Sequence, residues 1–371
     1  MSEVSISVAS AATGYLPTMS GRQHHYLPQL IQRPFAYRQR GKEFYVHAHH
    51  RTRGVFTPNT RGLGKELDFY GGPDNTSLDD AITRGEGDLA ATLQAVNEGV
   101  EVPPIDIAML ICALAFRTKS MREALIGLFP ALLSALRGRL LDITRLREGL
   151  ILSLNSPAKR KRLIYEQIDR RFGPLPREQR AKVYGALLPK WKTHVAEQLE
   201  TLVADARQMA DTMLAKARAE ADKIADEAYL AALAKDPVMS VRAKRMANEM
   251  VFEVLDAPSG ESFILGDCGP VAVFSDGKPR LVLAAFDSDA VMDLVFLPSS
   301  PARCIVGRLP AVTTSIGVAD INRICAGLSL EFFICNRDGG DDIEELRASI
   351  GSLNPIDNEE DIIRLLSSQS E

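Results

Sequence analysis

The spacing of hydrophobic positions divides the chain into segments. Residues 1–20 are small and polar and read as a flexible arm. Over 21–104, short apolar clusters alternate with Gly and Pro. Pro28 suits the first turn of a short helix, and Pro34 should end it by disfavouring a helical Arg33. Phe44-Tyr45-Val46 reads as a strand running into His47-Ala48-His49-His50, and 53–75 as loop with one short strand. Leu78, Ile82, Leu89, Leu93 and Val96 recur at helical spacing and predict a helix over 78–97.

From 105 to 252 the period is helical throughout. Residues 105–117 are apolar nearly all round, which predicts a buried central helix. It ends in Arg117-Thr118-Lys119, cations where the helix dipole is negative. Ser120 with Glu123 has the spacing of a capping box and opens a helix whose apolar positions run to Leu150, with Pro130 expected to kink or split it. Lys159-Arg160-Lys161-Arg162 reads as a basic connector. Then Leu199, Leu202, Ala206, Met209 and Met213 step like a coiled-coil seam, slip by one residue and resume at Leu214. At about 1.5 Å per residue, an unbroken Ala-rich helix over 192–235 would be roughly 65 Å long. Asp236-Pro237 should end it before a last helix over 240–252.

Beyond 262 the period becomes two. Strands are predicted over 262–265, 271–274, 281–286, 294–297, 303–307 and 331–335, with a helix over 320–328. Asp276-Gly277 signals a hairpin turn. The expected architecture is α+β. An N-terminal motif region (21–104) and a C-terminal antiparallel β part (253–337) form one unit, a large helical middle (105–252) contains the long helix, and 338–371 is an acidic tail.

Composition alters this picture little. Hydrophobic residues make up 46% of the 371 and charged residues 25%, ordinary for a globular protein, and the net charge of −4 selects no polyanionic partner. The distribution says more: 21–65 carries nine Lys/Arg against Glu43 alone, whereas 338–371 carries ten acidic residues against Arg347 and Arg364. Five cysteines without a CxxC pair suit small buried hydrophobes in a reducing cytoplasm. The longest apolar run, 107–116, is half of the roughly twenty residues that a membrane span needs, so no membrane partner is expected.

Five of the six histidines lie between His24 and His50. His24-His25-Tyr26-Leu27-Pro28-Gln29, followed by Phe35, resembles the opening His-Tyr-x-Pro motif of a mostly bacterial family, domain of unknown function 4238. Further echoes are Lys65-Glu66-Leu67-Asp68-Phe69-Tyr70, Phe116-Arg117-Thr118, the stretch 263–270, Phe296-Leu297-Pro298 and Ile321-Asn322. Gln32 stands where the family pattern has an apolar residue, and Asp267-Cys268-Gly269-Pro270 is one residue longer than its Asp-x-Pro. The resemblance implies no activity, so function must come from the residues.

His24 and His25 are neighbours whose side chains diverge, which suits one as ligand or proton donor and the other as orienter; the plain alternative is packing against Tyr26. Arg117 could meet a phosphate or pair with a buried carboxylate such as Asp267. His47 and His49 would face one side of a strand as a chelating pair does, but a solvated basic loop is the better explanation of His47, His49 and His50. Asp267 with Asp276-Gly277-Lys278 has the outline of a nuclease core holding a divalent metal ion, but a hairpin turn accounts for the same letters. Asn322 is an active-site amide or a helix cap. The chain contains no GxSxG, HExxH or GxxxxGK[ST].

Two readings follow. The first is a cytoplasmic nucleic-acid-binding protein or metal-dependent phosphodiester hydrolase with a composite site of His24, His25, Arg117 and Asp267, and with 33–65 meeting phosphates. The second is a non-catalytic interaction protein in which the same residues form a structural polar network. In either, the 192–235 helix could join two copies of the chain.

Overall fold

The computed structural model describes residues 23–71, 77–282 and 291–356. The 1–20 arm, the end of the acidic tail and most of the strand expected over 281–286 lie outside these residues.

The chain opens with β1 (Gln23–His25), one turn of helix α1 (Gln29–Gln32) and a tighter turn through Arg33–Phe35. It continues through β2 (Arg38–Arg40), β3 (Glu43–Tyr45), β4 (His47–His50), β5 (Gly54–Phe56) and β6 (Lys65–Leu67). Two strands thus form where one was expected over 53–75, because each is ordered by a partner remote in sequence or across a turn. Helices follow: α2 (Ser77–Glu98), α3 (Pro104–Arg117), α4 (Lys119–Leu140), α5 (Ile143–Asn155), α6 (Pro157–Phe172), α7 (Arg177–Leu187), α8 (Trp191–Ala219), α9 (Ala221–Lys235) and α10 (Ser240–Glu249). The C-terminal part holds β7 (Val251–Asp256), β8 (Leu265–Gly266), β9 (Val271–Phe274), β10 (Pro279–Leu281), β11 (Met292–Ser300), β12 (Arg303–Arg308), α11 (Val318–Leu328), β13 (Phe332–Cys335) and α12 (Asp341–Ala348).

The chain divides into two compact units. Among the described residues, the first comprises 23–71, 77–121, 230–282 and 291–355, and the second comprises 122–229 and 356. The ends of the 105–252 segment, α3 and α10, therefore belong to the first unit, where they pack on each other.

In the first unit an antiparallel sheet runs β10-β9-β11-β12-β7, and a second runs β5-β4-β13-β8. The second sheet joins the chain's two ends, with His50 opposite Phe332 and His47 opposite Cys335. This α+β arrangement holds the N-terminal motif region and the C-terminal β part in one unit. Helix α3 buries ten consecutive-range side chains from Ile107 to Arg117, apart from Met109, as its all-round apolarity predicts. Strand β7 was not expected: Val251 and Phe252 read as the end of a helix, but Met250 turns extended and the next six residues pair with β12. Residues 338–355 are no free tail either. Acidic side chains line the exposed side of α12 while Ile343 and Ile350 are buried, and Leu353 N–H donates to Gly327 O. All five cysteines are buried and free.

In the second unit α5 packs along α8. Pro130 stays inside α4; the break comes at Leu141-Asp142, where the Asp142 carboxylate caps Arg145 N–H. The basic run 159–162 is helical, on α6. Glu220 interrupts the long helix, so α8 spans about 44 Å. Val195, Val203 and Ala206 turn inward, whereas Met209 and Met213 are each 66% exposed. The packed stripe follows the 3.6 period instead of the 3.5 seam. Among the described residues, no single helix is long and apolar enough to cross a membrane.

Candidate functional site

The N-terminal motif is fastened to α3 by a chain of buried polar contacts. Strands β1 and β6 pair antiparallel, setting His24 opposite Glu66 and His25 opposite Lys65. The loop after β6 then brings Phe69 and Tyr70 under the motif: Tyr26 packs against Phe69, and the His24 ring stacks on Tyr70 at 5.5 Å. His24 Nδ1 accepts Tyr70 N–H at 3.0 Å, and Tyr70 Oη donates to His25 O at 3.0 Å. Arg117, 3% exposed at the end of α3, donates through Nε to Tyr70 Oη at 3.3 Å and through Nη2 to Glu86 Oε1 at 2.5 Å.

Burial disfavours the Arg117 cation, but Tyr70 and Glu86 more than offset this and hold its pKa above the ordinary value. Burial raises the Tyr70 phenol, and the adjacent guanidinium opposes it. Asp79, also on α2, is raised by burial, with His24 pulling the other way. Glu86, Tyr70 and Asp79 were not among the residues expected at the site. Tyr70 lay inside a quoted motif, whereas Glu86 and Asp79 are ordinary polar positions of an amphipathic helix, distinguishable only once α2 is docked on α3.

Asp267 is not part of this cluster's bonding. Its Oδ1 accepts Leu330 N–H at 2.7 Å, and its Oδ2 accepts the N–H groups of Glu331 and Phe332 at 2.7 and 3.1 Å. The expected pairing of Arg117 with Asp267 is therefore corrected: Glu86 is the partner, and Asp267 caps the backbone entering β13. Burial pushes the Asp267 pKa up to about 7, while the three N–H groups pull it down. His24, His25 and Arg117 come together through Tyr70, and the fourth proposed member is committed elsewhere.

Gln32 ties the motif to the loop before β6. Fully buried, it donates through Nε2 to Leu27 O at 2.6 Å and Leu63 O at 3.2 Å. Gly64 allows this approach, with φ +64 and space so tight that a Cβ would lie 2.7 Å from Leu27 Cβ. The capping box expected at Ser120 is also revised: Thr118 Oγ1 accepts Met121 N–H, so Thr118 starts α4. Asn322 is structural, accepting Ile264 N–H and donating to Ser262 O.

His47, His49 and His50 are strand residues, not a solvated loop. His49 stacks on Phe333 and donates through Nε2 to Arg337 O at 2.9 Å. His50 Nδ1 accepts Thr52 and Arg53 N–H groups, closing the β4–β5 turn. His47 stacks on Tyr37. Asp276-Gly277-Lys278 forms the β9–β10 turn, with Gly277 at φ +75 and Asp276 bound to Arg280. Among the described residues, no three His, Cys, Asp or Glu side chains gather to hold a metal ion.

Burial lowers the pKa of His25, His47, His49 and His50. Each binds a proton less readily folded than unfolded, so their joint contribution to stability is present above about pH 6.5 and is lost as the pH falls below it. Asp267, raised to about 7, and Asp79, raised above its ordinary value, act in the opposite sense as the pH falls below about 7, two groups against four. The urea midpoint should fall as the pH is lowered from about 7 to 5; a flat or rising midpoint would contradict buried neutral imidazoles.

A second group of side chains differs in its ion pairing. Of the cations from 33 to 65, Arg33, Arg38, Arg40, Lys42, Arg51, Arg53 and Arg61 are exposed and Lys65 is half-buried. Among the described residues, none of the eight forms an ion pair, whereas Arg117, Lys119, Arg122, Arg137, Arg147, Arg180, Arg245, Arg280, Arg303 and Arg308 all do. Three of the eight sit on the β2–β3 ribbon, where Arg38 and Arg40 lie two residues apart on β2 and Lys42 is in its turn; Arg51 and Arg53 lie in the β4–β5 turn, which belongs to another sheet. Glu43, the local carboxylate, is occupied by Tyr45 Oη at 2.7 Å. No family model, curated protein or solved structure matches the chain.

Proposed function

We propose that this is a nucleic-acid-binding protein whose contact surface is supplied by the 33–65 segment, and that His24, His25 and Arg117 belong to a structural fastening. The observation that carries the reading is the set of exposed cations in this segment for which the described residues offer no ion pair. An unpaired surface cation can exchange its counterions for phosphates, and the release of those ions drives binding. The ion-paired arginines elsewhere have already spent that capacity within the fold. The hydrolase reading is set aside because Asp267 is saturated by backbone N–H groups and the described carboxylates and histidines form no metal-holding cluster.

Anisotropy of a fluorescent oligonucleotide titrated with the protein tests this. With four to six phosphate contacts, the log–log dependence of affinity on salt has a slope of about −3 to −5. Reversing Arg38, Arg40, Arg51 and Arg53 to Glu should abolish binding without unfolding the protein. Absence of binding at low salt, or binding unchanged by the reversal, would overturn the proposal.

A further inference from the structure

The ribbon carries an aromatic surface as well as charge. Tyr37 immediately precedes Arg38 and Arg40, and is anchored by its N–H to Tyr45 O. Its ring stacks on His47 with centroids 4.0 Å apart and planes 25° from parallel, yet it remains 42% exposed. His47 thus supports one face of a phenol ring that solvent reaches. Burial lowers the imidazole pKa, against the pull of Asp338. Arg33 lies over the Phe44 ring at 5.5 Å and Arg53 over Phe56 at 5.8 Å, so each of these guanidinium planes is also held beside an aromatic.

We propose that the Tyr37–His47 stack is a platform for an unpaired base, and that the ribbon therefore prefers single-stranded nucleic acid over duplex. The inference rests on the nucleic-acid reading above. A duplex buries its base faces within its own stack and can offer this surface little but phosphate. A single strand offers both phosphates to Arg38, Arg40 and Lys42 and a π-face to Tyr37, and any base can supply that face. Rings supported from behind lose little freedom on binding, because the stack exists before the ligand arrives.

The test compares oligo(dT), oligo(U) and a duplex of equal length, each titrated at several salt concentrations, with wild type, Tyr37→Ala, Tyr37→Trp and Arg38→Glu/Arg40→Glu. Tyr37→Ala should weaken single-strand binding about tenfold, leave duplex binding unchanged, and leave the salt slope unchanged because no phosphate contact is lost. Tyr37→Trp should retain single-strand binding, which separates loss of stacking from loss of fold. The double charge reversal should weaken both ligands and flatten the slope. Equal affinity for single strand and duplex, or a Tyr37→Ala variant that binds single strands like wild type, would overturn the platform and leave the nucleic-acid reading standing. No binding of any ligand would overturn both.

Discussion

Glu86→Ala is expected to destabilise the fold by about 3–5 kcal/mol, and by more than Arg117→Met does. Glu86 is the carboxylate bound to Arg117, yet its own side chain is 34% exposed whereas that of Arg117 is 3% exposed. Removing the carboxylate leaves a buried guanidinium whose remaining hydrogen bond, among the described residues, is to the Tyr70 hydroxyl. Removing the arginine leaves a carboxylate that water already reaches, and methionine refills much of the apolar volume. The double substitution should cost less than the two single ones added together, because the stranded charge is gone. Urea unfolding of the three variants measures this. Additive costs, or a Glu86→Ala protein as stable as wild type, would show that the ion pair does not hold α2 to the end of α3.

Asp267→Ala is expected to cost about 3–5 kcal/mol as well, for a different reason. Three successive N–H groups, Leu330 to Phe332, lose their acceptor together, and a buried or partly buried donor left unsatisfied costs about 1–3 kcal/mol. The damage should spread, since β13 sits between β4 and β8 and so links β4 and β5 to the C-terminal part. Asp267→Asn should fall between Ala and wild type, because one amide oxygen can still accept while the amide nitrogen faces a donor. Denaturation gives the magnitude, and amide exchange gives the place: protection should drop first at 330–335 and 47–50. A cost below about 1 kcal/mol would remove Asp267 from the structural account.

Fold class was legible because it depends on period. The switch from helical spacing to alternation near 262, the all-round apolarity of 105–117 and the Asp-Gly turn are local consequences of which side chains must be buried. Ends of elements were less legible where two signals competed. Ser120 and Thr118 are both capable caps, and only the exit path of α3 selects Thr118. Val251 and Phe252 fit a helix or a strand, and β12 decides between them.

For the polar residues, sequence by itself determined where unusual chemistry is concentrated: the His24-His25 motif, Arg117 at a helix end, and an unbalanced basic stretch from 33 to 65. Those facts are local, fixed by residue type and spacing. Only the tertiary structure decided who meets whom. Arg117 had a choice of carboxylates far away in sequence, and the docking of α2 assigned it Glu86, while the turn into β13 took Asp267. Among the described residues it likewise left the exposed cations of the 33–65 segment without an ion pair, although the chain as a whole has more carboxylates than cations. Ion pairing acts over a few ångströms and so follows the packing of remote elements, which no residue spacing along the chain encodes.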